Sequence, residues 1–112
     1  MNYIISGKVI KGDGYGRKLG FPTMNLDSQI KSKTLSGVYS GSVILDNVQH
    51  KAGIVINAEG RVEAHLIGYS GDAYGKIVTL EIKKLIRKYQ KFEKEEELIA
   101  QIKKDIDICS QA

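Results

Sequence analysis

Residues 37–84, GVYSGSVILDNVQHKAGIVINAEGRVEAHLIGYSGDAYGKIVTLEIKK, decide the fold class. Short runs rich in β-branched and aromatic residues alternate there with turn signals at regular spacing. Across 37–45 the period of two places Tyr39, Gly41, Val43 and Leu45 on one face. Asp46-Asn47 predicts a turn, and a second strand follows over about 49–56. Residues 57–60 (NAEG) predict another turn, 61–69 a third strand, and 70–72 (SGD) a further turn before Tyr74-Gly75. The strand over 76–84 carries Val78, Leu80 and Ile82 on one face and polar or mixed residues on the other.

Outward from this series, residues 3–11 (YIISGKVIK) read as a strand that ends at Gly12. A short strand is expected over 23–26, and the polar stretch 27–36 reads as a surface connection. Only the tail changes period. Leu98, Ile102, Ile106 and Cys109, flanked by Ile99, form an apolar stripe at helical spacing. Glu95, Glu96 and Glu97 suit the positive end of that helix, and Lys103 and Lys104 lie toward the other end. Many short strands followed by one amphipathic helix predict a mainly β fold: a closed or nearly closed antiparallel barrel with a C-terminal helix packed on it. Closure removes the exposed edges that such strands would otherwise leave.

The remaining segment, residues 12–25 (GDGYGRKLGFPTMN), has neither period. It holds Gly12, Gly14, Gly16 and Gly20, the only proline, and the cations Arg17 and Lys18. Glycines that permit positive φ, with positive charge among unpaired backbone N–H groups, are the ingredients of an anion cradle. If Pro22 starts a strand, alternation puts Thr23 and Asn25 on one face. A hydroxyl beside an amide oxygen suits a hard cation such as Mg2+. The plainer reading is a hairpin connection that binds nothing. No Gly-Lys-Ser/Thr follows the glycines to open a helix, so this is not a Walker loop.

At 112 residues and 12.4 kDa the chain is sized for one domain, residues 1–112, with a single modest core. Hydrophobic residues make up 42% and charged residues 27%, which fits a globular protein. No apolar run reaches a membrane span, and the N-terminus lacks the pattern of a signal peptide, so no membrane partner is expected. A single cysteine, Cys109, cannot form an internal disulfide, which makes the cytoplasm the default compartment. The net charge of +4 suits phosphate-bearing ligands. Loose nucleic-acid binding would share that charge, but the tyrosines are scattered, not interleaved with cations on one face. No nucleic-acid partner is therefore expected. Neither His50 nor His65 has zinc-ligand spacing to the cysteine.

The order of residues in GRKLGFPTMN resembles the GRxLGxPTAN motif of riboflavin kinases, with Met24 where the family usually has Ala. GVYSGSVIL is similar to that family's Gly-Val-Tyr strand. RVEAHLIGYSGDAYG is similar to its VExHIxxFxxDLYG segment, and IRKYQKFEKEEELIAQIKKDI to its IRxExKFxSxEELxxQIxxDI ending. These motifs run in order along nearly the whole chain. The resemblance implies a six-stranded Greek-key barrel with a C-terminal helix; separately, a monomer is expected. It also implies transfer of a phosphoryl group from a nucleoside triphosphate, ATP by default, to riboflavin with Mg2+, giving FMN.

By the same resemblance Glu63 is the catalytic carboxylate, whereas a lone Glu on a strand face is ordinarily just solvated. Thr23 and Asn25 would hold the metal. Gly12, Gly14, Gly16, Arg17, Thr23, Leu66 and Tyr74 would bind the nucleotide. Arg87 and Phe92 match flavin-contacting positions, although Phe92 equally suits an anchor for the helix. His65 reads as structural support for the site, His50 as a surface residue, Asp72 as a turn residue, and Gln90 stands where the family often has a charge. The segment between residue 56 and Glu63 is cut to NAEGR, shorter than the family's loop, which bears on how the site closes. Many bacterial relatives fuse an adenylyltransferase to this domain, for which 112 residues leave no room. The competing reading is a non-catalytic flavin- or nucleotide-binding module of the same fold. Retention of Thr23, Asn25 and Glu63 favours the enzyme.

Overall fold

The computed structural model describes residues 3–12, 14–30, 35–69, 71 and 73–112. Six strands, β1 (Tyr3–Ile10), β2 (Met24–Gln29), β3 (Gly37–Leu45), β4 (Val48–Ile56), β5 (Arg61–Leu66) and β6 (Ile77–Arg87), form the barrel. A four-residue helix, α1 (Tyr15–Lys18), precedes β2, and α2 (Glu95–Ser110) closes the chain. The barrel is closed in the order β1-β2-β5-β4-β3-β6, and every described strand pair is antiparallel. Consecutive β3, β4 and β5 form a meander, and β2 lies beside β5, which is the Greek-key arrangement.

Alternation builds the core as the sequence predicts. Val78, Leu80 and Ile82 of β6 point inward and are at most 3% exposed. Val62, Ala64 and Leu66 of β5 meet them with Val43, Ile54 and Ile56. The intervening residues of β5, Glu63 and His65, therefore face outward. The turn at Asp46 and Asn47 forms as expected, with φ of 51° and 65°. Helix α2 packs on the outer side of β3 and β4. There the buried Cys109 Sγ lies 3.8 Å from the Tyr39 carbonyl oxygen. Burial raises the Cys109 pKa to about 11, with a smaller contribution from the Asp105 charge.

Four expectations are corrected. Strand β2 runs on through Gln29 and is followed by the buried Ile30, so 27–30 belongs to the barrel, not to a surface connection. Strand β5 ends at Leu66, because Ile67 and Gly68 turn the chain and Gly68 takes φ +77°. The glycine-rich segment contains α1, which has too few residues to show a period. The backbone N–H groups of Lys18, Leu19, Gly20 and Phe21 bond within that segment, so they are not the unpaired donors of an anion cradle. Within it, Gly14 and Gly20 take positive φ whereas Gly12 and Gly16 do not. A side chain at Gly16 would instead crowd the Phe21 carbonyl at 2.6 Å.

Candidate active site

Register gives the site its geometry. Asn25 of β2 pairs directly with Glu63 of β5, and Glu63 pairs on its other side with Val55 of β4. Val55 pairs with Val38 of β3, and Val38 with Arg87 of β6. One continuous row on the outer wall thus reads Asn25, Glu63, Val55, Val38, Arg87. All five line a groove of about 580 Å3 between the barrel wall, the 88–94 connection and α2. A register shift between Val38 and Tyr39 brings Arg87 into this row. With neighbouring strands about 4.8 Å apart, four steps carry the row across roughly 19 Å of curved wall.

The two ends differ in chemistry. At the Asn25 end, cross-strand neighbours place Cβ atoms about 4.5–5.5 Å apart, so the Asn25 amide stands beside the Glu63 carboxylate. A methyl group added at Gly12 would overlap that amide, so the backbone of Gly12 packs directly on Asn25. His65 Nδ1 lies 2.8 Å from the Pro22 carbonyl oxygen, and its ring meets Phe21 edge-on at 6.3 Å. It thereby pins the Phe21-Pro22-Thr23 bend against β5. The other histidine, His50, is partly buried and meets Tyr69 edge-on at 5.2 Å.

At the other end the walls are apolar: Val38, Val55, Phe92, Leu98, Ile102 and Ile106. Arg87 lies against them, its guanidinium carbon 5.7 Å from the centre of the Phe92 ring. Its Nε and terminal nitrogen clasp Asp105 of α2 at 2.9–3.2 Å.

A second, smaller cavity of about 50 Å3 opens on the far side of the Thr23 segment. Arg17, Thr23, Met24, Leu66, Tyr69 and Tyr74 are among the residues lining it. Tyr74 is 41% exposed at its mouth, with the Lys11 ammonium 6.0 Å from its ring centre. Thr23 lines both cavities and so stands where they meet.

The structure thus sorts the expected residues into two groups. Gly12, Gly16, Thr23, Asn25, Glu63, Arg87 and Phe92 share the large groove, whereas Arg17, Thr23, Leu66 and Tyr74 share the small cavity. Gly14 lines neither. Asp72 lies outside the described residues. Gln90 lines the groove, as do Asn57 and Arg61 at the ends of the short 57–60 turn. That turn is stitched by Asn57 Oδ1, which accepts bonds from the Glu59 and Arg61 N–H groups at 3.0 and 2.9 Å.

Asp105 was not among the expected site residues, although it lines the groove at 7% exposure. Its signal was available: a carboxylate on the face of the Ile102–Ile106–Cys109 stripe needs a buried partner.

Among the described residues no group of three or more His, Cys, Asp or Glu side chains is placed to hold a metal. Thr23 and Asn25, which line the same groove as Glu63, offer oxygens of another kind, a hydroxyl and an amide. Among the described residues no helix is long and apolar enough to cross a membrane.

Over residues 1–112 the chain matches the family described as Flavokinase: Riboflavin kinase. It is 38% identical over 112 residues to the RNA-binding riboflavin kinase RibR of Bacillus subtilis (strain 168), covering 92% of this chain and 48% of that protein. It is 32% identical over 111 residues to the bifunctional riboflavin kinase/FMN adenylyltransferase of Escherichia coli (strain K12), covering 92% of this chain and 36% of that one. The chain therefore spans about half, or less, of the length of these relatives. A macrolide-efflux protein from Streptococcus pneumoniae superposes with a TM-score of 0.85 at 26% identity, over 97% of this chain and 38% of that one. Riboflavin kinase from Trypanosoma brucei shares the fold, with a TM-score of 0.70 at 20% identity over 98% of this chain and 78% of that one. A family match along the whole chain, carried on a six-stranded barrel with the family's C-terminal helix, means that the protein belongs to the riboflavin kinase family of phosphotransferases.

Proposed function

We propose that this chain transfers the γ-phosphoryl group of ATP to the ribityl 5′-hydroxyl of riboflavin, giving FMN and ADP. The observation that carries the proposal is the wall row from Asn25 to Arg87, polar at one end and apolar with a cation at the other. The flat isoalloxazine ring suits the apolar end, where Val38, Val55, Leu98 and Ile102 would cover its faces and Arg87 would meet its carbonyl acceptors. The ribityl chain would then run along the row toward Glu63. The adenine base would lie across the opening of the small cavity, against Leu66 and Tyr74, with the phosphates passing Thr23 into the groove.

Phosphoryl transfer to an alcohol asks a protein for positioning and charge more than for covalent chemistry. Glu63 takes the proton from the 5′-hydroxyl as that oxygen bonds to the γ-phosphorus. The bond from the γ-phosphorus to the β,γ-bridging oxygen breaks, and ADP leaves with that electron pair. Thr23 and Asn25 fit Mg2+, since both offer the hard oxygen atoms it prefers and Gly12 fixes the Asn25 amide by direct packing. When bound, Mg2+ would neutralise charge on the phosphate oxygens. Arg17, which lines the small cavity, would meet phosphate as a charged donor.

Incubating the protein with riboflavin, Mg2+ and either ATP or CTP, and separating the flavins, tests this directly. FMN formation with ATP is expected. Riboflavin binding with no FMN from either nucleotide would contradict it and leave a flavin-binding module.

A further inference from the structure

An acidic side chain sits where the helix stripe should be apolar. Asp105 is 7% exposed, between Ile102, Ile106 and Cys109, and burying a carboxylate there is costly unless it is fully paired. It is. Its Oδ1 accepts from Arg87 Nε at 3.1 Å and from Gln101 Nε2 at 3.0 Å, while Oδ2 accepts from Arg87 Nε at 3.2 Å and from the Arg87 terminal nitrogen at 2.9 Å.

These bonds fix one edge of the guanidinium. Its other terminal nitrogen donates to the Lys88 carbonyl at 3.3 Å, and the Phe92 ring lies 5.7 Å from its carbon. The remaining N–H groups of Arg87 meet no protein acceptor among the described residues, and Arg87 lines the groove. A buried ion pair is weak evidence for stability, since apolar residues of similar volume serve as well. A pair built with this much support is better explained by what it holds in place.

We propose that Asp105 is a positioning residue for flavin recognition: through its two-oxygen clasp it presents the free donors of Arg87 to the acceptor atoms of the isoalloxazine ring, and Gln101 holds Asp105 for that task. The inference rests on the reading of the groove as a riboflavin site. It deepens that reading by naming α2, not the barrel wall alone, as the element that sets flavin affinity. Asp105→Asn keeps the shape but removes the charge and one acceptor oxygen, so Arg87 is released to other rotamers. Gln101→Leu leaves the ion pair intact and removes only the outer support.

Riboflavin fluorescence quenching, titrated without nucleotide, reads the effect, alongside KM for ATP and the melting temperature. Asp105→Asn is expected to weaken riboflavin binding about tenfold or more, and Gln101→Leu about two- to threefold, while KM for ATP changes less than twofold. Gln101→Leu retains the buried pair, so it supplies the test should Asp105→Asn not fold. Riboflavin affinity unchanged in both variants, or affinity for riboflavin and ATP falling together, would overturn the assignment. If the unsubstituted protein binds no riboflavin, the flavin site itself falls and this inference with it. Binding by the unsubstituted protein with no change in the variants overturns only the role of Asp105.

Discussion

Asn25 and Glu63 are brought side by side by one step of strand pairing, and Gly12 is the residue that lets them stay there. A Cβ at Gly12 has no space because the Asn25 amide already occupies it. Gly12→Ala must therefore push the amide out of line with Glu63. The expected result is a rise in KM for MgATP of about tenfold or more, with riboflavin affinity little changed, measured by steady-state kinetics and fluorescence titration. Unchanged kinetics would mean that the amide position does not matter to the metal. At this scale the sequence was legible where alternation applies: Glu63 and His65 share a face as a period of two requires, whereas Thr23 precedes β2 and has in common with Asn25 only the groove that both line. Asp105 escapes a reading by helical period, which counts apolar positions and ranks a carboxylate as solvent-facing, although its place on the apolar stripe was itself the signal. Nor did the sequence reveal that Gly12 is needed for close approach and not for positive φ, a distinction that only a long-range neighbour makes.

Among the elements, the β3–β4 hairpin shows local chemistry deciding structure. Leu45 pairs with Val48, leaving Asp46 and Asn47 as a two-residue connection with φ of 51° and 65°. Both are left-handed values, as a type I′ turn demands, and Asp and Asn tolerate them better than most residues. Asn47→Val should cost about 1–2 kcal/mol in urea unfolding, whereas Asn47→Gly should be neutral or slightly stabilising. Equal stability of the two variants would mean that the turn relaxes to another type. Helix α2 begins, as the sequence predicts, with Glu95, Glu96 and Glu97 in its first turn, but no basic residue occupies its last. Lys51 of β4 takes that place, donating to the Ser110 carbonyl at 2.9 Å. A charge supplied across the fold leaves no mark in the helix's own sequence. The same holds for α1, whose closing bond from Phe21 N–H to the Gly16 carbonyl, at 2.7 Å, depends on the bend that His65 pins.

At the scale of the whole molecule the barrel interior is a packed core, and the large groove lies on the outer wall beneath α2. Closure was legible from the strand count and spacing, and the Greek-key order only through the resemblance to riboflavin kinases that GRKLGFPTMN and RVEAHLIGYSGDAYG carry. The groove was not, because it exists only where α2 and the 88–94 connection stand away from the wall, which no local pattern records. As proposed, the groove is a phosphoryl-transfer site in which Glu63 removes the proton of the riboflavin hydroxyl. Glu63→Gln keeps the size and polarity of the side chain on a strand whose other face supplies the core, so the fold should persist. Its kcat for FMN formation, measured beside riboflavin affinity from fluorescence titration, tests the claim most directly. A fall in kcat of about 10²–10⁴-fold is expected with riboflavin affinity nearly unchanged, and near-normal turnover in Glu63→Gln would contradict the role of Glu63 as the base.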